Sequence, residues 1–281
     1  MHQQQRLQDI LNQSAPLAIA FSGGVDSTLL LKVAHDTLGN RCIAVTVDAP
    51  YHFRQELEEA QRFTQQHALQ HLMIPFDPAA VPSLMNNPPD RCYLCKQTLL
   101  KTCRAALPPG TWTLADGSTV DDQAAHRPGS RALAELGVRS PLAEAGFTKQ
   151  DIRLLSKQLG LPTWDKPAQS CLLTRFPHQT LITAERLQQV EWAETEIKKL
   201  GFCLVRVRSI GTAALLEFEK GELAQAMLPT MLVQLEAIAK KAGFSEMNID
   251  PAGYRSGSMD LPEKSNLNTR AQRTQSKVQE L

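Results

Sequence analysis

At 281 residues, 42% of them apolar, the chain is long enough to bury a core in one large domain and a smaller second one. Thirty basic side chains against twenty-nine acidic ones leave a formal charge of +1, so no bulk field gathers nucleic acid or a membrane surface, and a nucleic-acid partner is not expected. The polar start Met1 to Leu7 lacks the apolar stretch of a signal peptide, and no apolar run nears the ~20 residues of a membrane helix, so a cytoplasmic protein without membrane contact is expected.

From Pro16 to Glu144, short apolar runs alternate with stretches of helical period, which predicts an α/β fold: a parallel twisted sheet with helices on both faces. The strands are Leu17 to Phe21, Cys42 to Val47, Leu72 to Phe76 and Thr111 to Ala115. Leu29, Leu30, Val33, Ala34 and Leu38 recur at helical spacing before the stop Gly39-Asn40. Thr148 with Asp151 reads as an N-terminal cap and its acidic partner, opening a helix that runs to Gly160. A smaller α+β domain follows, with a helix from about Ala184 to Leu200, strands at Cys203 to Val207 and Ala214 to Phe218, helical stretches from Glu222 to Lys241 and a last strand near Met247 to Ile249. The expected division is residues 1–165 for the sheet domain, 166–182 for a linker, 183–258 for the small domain and 259–281 for a disordered tail, since Glu263 to Leu281 carries no aromatic residue and few aliphatic ones.

The segment Ser22-Gly23-Gly24-Val25-Asp26-Ser27 sits where the first strand hands over to a helix. Paired glycines let backbone approach phosphate oxygens, and a helix N-terminus offers free N–H groups with partial positive charge. A plain strand-to-helix turn would use Gly and Ser in the same way. The full string, however, resembles the loop of the ATP-pyrophosphatase (PP-loop) superfamily, and neither Gly-x-x-x-x-Gly-Lys-Ser/Thr nor Gly-x-Gly-x-x-Gly occurs. That resemblance implies ATP cleavage between the α- and β-phosphates, with pyrophosphate held by Ser22 to Ser27 and backbone around Val47 facing adenine. Asp26 is the expected Mg2+ partner, because a carboxylate at a phosphate site calls for a cation between them. Asp116, at the end of the fourth strand, is read as a metal or ribose contact or as a simple turn residue.

Six cysteines without a secretory context argue for reduced thiols or metal ligands. Cys42, Cys103 and Cys203 read as small buried hydrophobes, the first and last on strands and Cys103 on the apolar face of a helix. Cys92 and Cys95 form a Cys-x-x-Cys in a polar, proline-punctuated run, and Cys171 lies in the linker. Zinc, a redox dithiol and an iron–sulfur cluster all accept a Cys-x-x-Cys. Zinc lacks an evident fourth ligand, and three thiolates suit a 4Fe-4S cluster with one iron left open. Arg91, Lys96 and Arg175, near in sequence, add the positive charge that favours thiolate ligation.

Asn87-Pro88-Pro89-Asp90-Arg91-Cys92-Tyr93-Leu94-Cys95-Lys96, the segment Leu114 to Ser118 leading to Arg127-Pro128-Gly129, Gly137 to Leu142, Leu161 to Pro167, Thr174 to Pro177 and Gly253 to Gly257 together resemble the LarE family. Its members are pyridinium-3,5-biscarboxylic acid mononucleotide sulfurtransferases of nickel-pincer nucleotide synthesis. The resemblance spans roughly residues 5 to 260 and implies adenylation of each ring carboxylate, then conversion to thiocarboxylate. Some members sacrifice a cysteine matching Cys171; others carry the extra Cys-x-x-Cys and a 4Fe-4S cluster supplied by a sulfide donor, and Cys92 and Cys95 align this chain with those. The resemblance also implies an anion site at Arg206 and Arg208 near a subunit interface, hence a homo-oligomer, while a solvated strand face is the plainer reading of that pair. Lys166 and Arg175, which flank Cys171, and Arg255 are the remaining candidates for binding the pyridinium mononucleotide. Against this stand a tRNA thiolase of the same superfamily, a nucleotide or iron–sulfur sensor without turnover, and an amidating enzyme that would have no use for the three cysteines.

Overall fold

The computed structural model describes residues 2–78, 81–124, 128–255, 257 and 259. Short runs of Leu, Ile, Val and Ala, too brief for helices, become four parallel strands: β1 (Leu17–Ala20), β2 (Cys42–Asp48), β3 (His71–Pro75) and β4 (Thr113–Ala115), in the order β3-β2-β1-β4. Their alternation builds two cores. Leu17 and Ile19 of β1 with Cys42 and Ala44 of β2 face one side, whereas Ala18 with Ile43, Val45 and Val47 face the other. A parallel sheet has both faces covered. On the first side lie α1 (His2–Ser14), α2 (Val25–Leu38), α3 (Arg54–Gln66) and, after the one-turn α4 (Pro82–Met85), also α9 (Lys149–Gln158). On the second lie α5 (Arg91–Ala105) and α7 (Pro128–Glu135), with the short α6 (Val120–Ala124) and α8 (Pro141–Glu144) completing the run of helices.

Local signals act where the sequence places them. Helix α2 stops at Gly39, whose φ of 57° and amide bond to the His35 carbonyl end the helix. The Thr148 hydroxyl accepts the Asp151 amide while the Asp151 carboxylate takes the Thr148 amide, a reciprocal cap at the start of α9. Helix α2 begins four residues earlier than its apolar pattern, so Val25, Asp26 and Ser27 form its first turn. Because connections from β1 run to β2 on one side and the chain returns to β4 on the other, β1 is the point where strand order reverses, the place where open parallel sheets bind ligands.

The chain folds as two compact units, one of residues up to Leu84 with Asp90–Ser170, the other of Met85–Pro89 with the chain from Cys171 onward. In the second unit, β5 (Val205–Ile210) pairs antiparallel with β6 (Ala213–Phe218), which pairs parallel with β7 (Glu246–Ile249). Helices α10 (Ala184–Lys198), α11 (Leu223–Ala226) and α12 (Pro229–Lys241) complete it. Residues 171–182 are ordered within this unit. Leu172, Leu173, Phe176 and Ile182 are buried, and Asn87 donates to the carbonyls of Phe176 and Pro177 at 3.0 and 2.8 Å. The expected tail at Glu263 to Leu281 lies outside the described residues. Among the described residues no helix is long and apolar enough to cross a membrane.

Two expectations for the second unit are corrected. Cys203 is exposed rather than buried, because the strand starts only at Val205, and the Glu222 carboxylate takes the amides of Cys203 and Leu204 at 2.6 and 3.2 Å out of the ladder. Arg206 and Arg208 share one face as their spacing predicts, but that face is not solvated, since both are buried. Arg208 pairs with Glu217 at 2.6 Å and Arg206 lies over the Tyr254 ring.

Arg175 is fully buried against an equally buried Glu194 at 2.7 Å, and Glu194 also accepts the Val207 amide, tying α10 to β5. Burial pushes the Glu194 carboxyl up, yet Arg175, Arg206 and the Val207 amide outweigh it and hold the group below its ordinary value. Its contribution to stability is therefore present above the ordinary value of 4.5 and lost as pH falls through the lowered one. Arg175→Met alone, which strands the carboxylate, should cost about 3–5 kcal/mol, whereas Arg175→Met with Glu194→Leu should recover much of that loss. Urea unfolding of the two single variants and the double variant checks this, and additive losses would show that the pair is not coupled.

Candidate active site

Where β1 ends, a cavity of about 1040 Å³ opens at the carboxyl edge of the sheet. It is lined by Ser22, Gly24, Asp26 and Ser27 of the loop, Val45 to Val47 of β2, Cys92 and Lys96 of α5, Asp116 to Ser118 after β4, and Asp122 and Lys149. Of the residues singled out in the sequence, the structure thus brings Ser22, Gly24, Asp26, Ser27, Val47 and Cys92 to one cavity. Gly23 lies within the loop, and Val25 turns into the core beneath it.

The loop holds its own shape. The Ser22 hydroxyl lies 3.1 Å from that of Ser27, which donates to the Gly24 carbonyl at 3.3 Å. Gly23 has φ +71°, and a Cβ there would stand 2.9 Å from the Cβ of Ala60 on α3. Gly117 is needed for a different reason: a Cβ on it would meet the Ser27 amide at 3.0 Å, so the segment after β4 rests directly on the first turn of α2.

Charge in the cavity is arranged in two cation–carboxylate groups. Lys149, just past the α9 cap, reaches Asp26 at 2.5 Å and Asp122 at 2.8 Å. Burial pulls the Lys149 ammonium down, but its bonds to Asp122 and Asp26 prevail and raise it above its ordinary value. Lys96 reaches the buried Asp116 at 2.9 Å, and Asp116 also accepts from the hydroxyls of Ser118 and Ser140 at 2.7 and 2.8 Å. Burial pushes Asp116 up, but Lys96 and the two hydroxyls hold it below the usual carboxylate value. Asp116 is therefore an anchored carboxylate rather than a plain turn residue. Sequence reasoning misses Lys149 and Asp122 because their significance is the meeting of residues 27 positions apart. The acidic pair Asp121-Asp122, after a strand end, is the available signal.

Lys166 contacts the loop from outside. Its ammonium lies 3.4 Å from the Gly23 carbonyl and 2.9 Å from Glu59 on α3. Burial raises Glu59, yet the Lys166 bond and charge leave it below its ordinary value.

Cys92 and Cys95 occupy the first turn of α5, three residues apart and hence on one face. Cys92 is exposed and lines the cavity, while Cys95 is half-buried with its Sγ 3.6 Å from the Tyr51 hydroxyl. Cys42 and Cys103 are buried hydrophobes as expected, their thiols pushed by burial up to about 12 and about 11. Cys171 belongs to the second unit, where its carbonyl accepts the Thr174 hydroxyl at 2.8 Å at the head of the turn Leu172–Arg175. Arg175, Arg206, Arg208 and Arg255 belong to that unit too, Arg255 being half-exposed and paired with Asp250 at 3.1 Å. Among the described residues no group of three or more His, Cys, Asp or Glu side chains is placed to hold a metal ion.

An asparagine synthase family model matches residues 4–101, the stretch that carries β1 to β3, the loop and most of α5. The pyridinium-3,5-bisthiocarboxylic acid mononucleotide synthase of Lactiplantibacillus plantarum is 34% identical over 248 residues, 87% of this chain and 88% of that protein. The chain belongs to the LarE family. An uncharacterized protein of Synechocystis is 42% identical over 243 residues, 86% of this chain and 91% of its own length, and one of Methanocaldococcus jannaschii is 30% identical over 244 residues, 85% and 91%. As a LarE-family protein with the PP-loop α/β fold, this chain is an ATP-dependent sulfurtransferase.

Gly23→Ala should combine left-handed backbone strain of about 1–2 kcal/mol with a clash against Ala60. Adding Ala60→Gly should restore part of the stability but little of the ATP affinity, because the φ penalty stays. Thermal unfolding and nucleotide titration of both variants check this, and full recovery in the double variant would show that the contact, not the conformation, is what matters.

Proposed function

We propose that the chain converts the carboxylates of pyridinium-3,5-biscarboxylic acid mononucleotide to thiocarboxylates, with ATP as activator and a 4Fe-4S cluster on Cys92, Cys95 and Cys171 as sulfur carrier. One observation carries the reading: a phosphate-type loop and the exposed Cys92 line the same cavity. In the first half-reaction a carboxylate oxygen attacks the α-phosphorus of ATP and pyrophosphate leaves, turning a poor leaving group into AMP. In the second, hydrosulfide attacks the acyl carbon, the bond to AMP breaks, and loss of the sulfur-borne proton gives the thiocarboxylate.

The residues fit these roles. Ser22 and Ser27 line the cavity, and the first-turn amides of α2 with the Ser22 hydroxyl would be the pyrophosphate donors, the Ser27 hydroxyl shaping the loop through the Gly24 carbonyl. Asp26 and Asp122 converge on one ammonium, so the same pair of carboxylates suits Mg2+ bound jointly with phosphate oxygens. Lys149 and Lys96 would then balance negative charge that builds up in the cavity during adenylate formation. For the cluster, the donor chemistry is right: Cys92 and Cys95 are reduced, adjacent on one helical turn, and one of them is open to the cavity. When bound, it would supply a sulfide for transfer. The buried arginines Arg206 and Arg208 suit the phosphate of the substrate nucleotide, Arg208 with Glu217 as its carboxylate partner, while Arg175 orders Glu194.

Anaerobically prepared protein should be brown and release pyrophosphate from ATP when the pyridinium dicarboxylate nucleotide is added. Cys92→Ala, Cys95→Ala and Cys171→Ala should each lose colour and thiolated product while keeping pyrophosphate release. A coloured Cys171→Ala protein would remove that residue from the ligand set, and turnover that survives all three changes without any thiolated product would favour an amidating PP-loop enzyme.

A further inference from the structure

The mechanism above uses no histidine, yet one histidine is bonded at both ring nitrogens and sits one side chain away from the loop. His71, the first residue of β3, has Nε2 2.8 Å from the Thr46 hydroxyl and Nδ1 2.9 Å from the Thr64 hydroxyl on α3. Thr46, in turn, donates its hydroxyl proton to the carbonyl of Phe21 at 2.7 Å. A carbonyl can only accept, so that proton is committed to Phe21 and the Thr46 oxygen must accept from His71. The Thr64 hydroxyl likewise reaches the Gln61 carbonyl at 2.9 Å, and a neutral ring has one hydrogen to give, so only one threonine can accept from it. The shorter contacts at Thr46, 2.7 and 2.8 Å, assign that hydrogen to Nε2 and leave Thr64 to donate to Nδ1. Burial pushes the ring down to about 4, so it is neutral around pH 7 and keeps that arrangement.

Phe21 is the residue at which the chain leaves the sheet. Its amide still bonds to the Val45 carbonyl at 2.9 Å, but β1 has ended at Ala20, and the Thr46 hydroxyl takes the place of a ladder partner for its carbonyl. The Phe21–Ser22 peptide is planar and trans, so clamping its oxygen on the Thr46 side turns the Ser22 N–H the opposite way. That N–H points into the loop, where it donates to the Ser27 hydroxyl at 3.4 Å, a long bond that a phosphate oxygen could replace. We infer that Thr46 and His71 are positioning residues that aim the Ser22 amide at the pyrophosphate of bound ATP, with His71 holding the Thr46 hydroxyl in the one orientation that does so.

The inference rests on ATP use with pyrophosphate seated in the loop, and the test separates the two. Inorganic pyrophosphate and ATP are titrated calorimetrically into the wild-type chain and into Thr46→Val, Thr46→Ser, His71→Leu and His71→Gln, with thermal unfolding measured alongside. Gln carries its amide N–H near the position of Nε2, and Ser keeps the hydroxyl. Loss of a misaimed donor should weaken pyrophosphate binding roughly tenfold in Thr46→Val and His71→Leu. Thr46→Ser and His71→Gln should return to within about threefold of wild type. Ile152→Val, a buried change elsewhere in the same core, should lower the melting temperature without moving either affinity. If Thr46→Val does not fold, His71→Leu, which leaves Thr46 in place, reads the same effect. Unchanged pyrophosphate affinity in variants that merely melt earlier would overturn the inference, as would a conservative change that folds but fails to rescue. Wild-type protein that binds neither ligand would instead remove the nucleotide reading and this one with it.

Discussion

Where β1 leaves the sheet after Ala20, the backbone groups of Phe21 to Ser27 lose the partners that a central parallel strand gives them, and each must be satisfied at the edge of a buried core. The chain meets this in two ways. Carbonyls turn toward protein donors, as Phe21 does to Thr46 and Gly24 to Ser27, while the first turn of α2, whose N–H groups have no carbonyl one turn earlier to bond, lines the cavity through Asp26 and Ser27. A site for anions follows from that asymmetry before any charged side chain is counted. The charged side chains around it are paired, each ammonium with its carboxylates: Lys149 between Asp26 and Asp122, Lys96 on Asp116, Lys166 on Glu59.

How much of this was readable in the sequence depends on the range of the interaction. The strands, the Gly39 stop and the Thr148 cap are set by neighbours within a few residues, and the chain adopts them, with strand ends moved by up to three residues. The loop was legible for the same reason, since six consecutive residues carry it. Lys149 was not, because its two carboxylates lie 27 and 123 positions away. The pair Arg206 and Arg208 shows the boundary clearly. Strand parity gave their common face, but whether that face meets water or protein depended on Glu217 across the hairpin and Glu194 on α10, which parity does not encode.

The second unit inverts the usual expectation for a strand with alternating arginines. Arg175, Arg206 and Arg208 are buried with Glu194 and Glu217 as carboxylate partners, and Arg206 is pulled below its ordinary value first by burial and then by the charge of Arg175. Such a cluster is a poor device for stability alone, because apolar residues of similar volume would hold the same elements together at less desolvation cost. A reason to keep it is electrostatic: guanidinium groups desolvated in advance bind an anion more strongly than those in water. That agrees with the substrate role proposed for Arg206 and Arg208, and it leaves Arg175 as the residue that orders Glu194.

Helix α5 brings a lysine and two cysteines to the wall of the cavity. Cys92, Lys96, Leu99, Leu100 and Cys103 follow one another at three- and four-residue spacing, so a single face of α5 lines the cavity from its mouth to its floor. Polarity falls along that face. Cys92 is exposed, Lys96 is held by Asp116, and Cys103 is sealed among Leu100, Val45 and Leu133 with its thiol driven to about 11. Two cysteines eleven positions apart on the same stripe therefore have opposite chemistry, one accessible and one kept protonated. Water reaches the open end most easily, and an acyl adenylate formed over the loop is most exposed to hydrolysis there. On the function proposed above, a sulfur carried at Cys92 would stand at that entrance, so the place where water competes would also be the place where sulfur is presented.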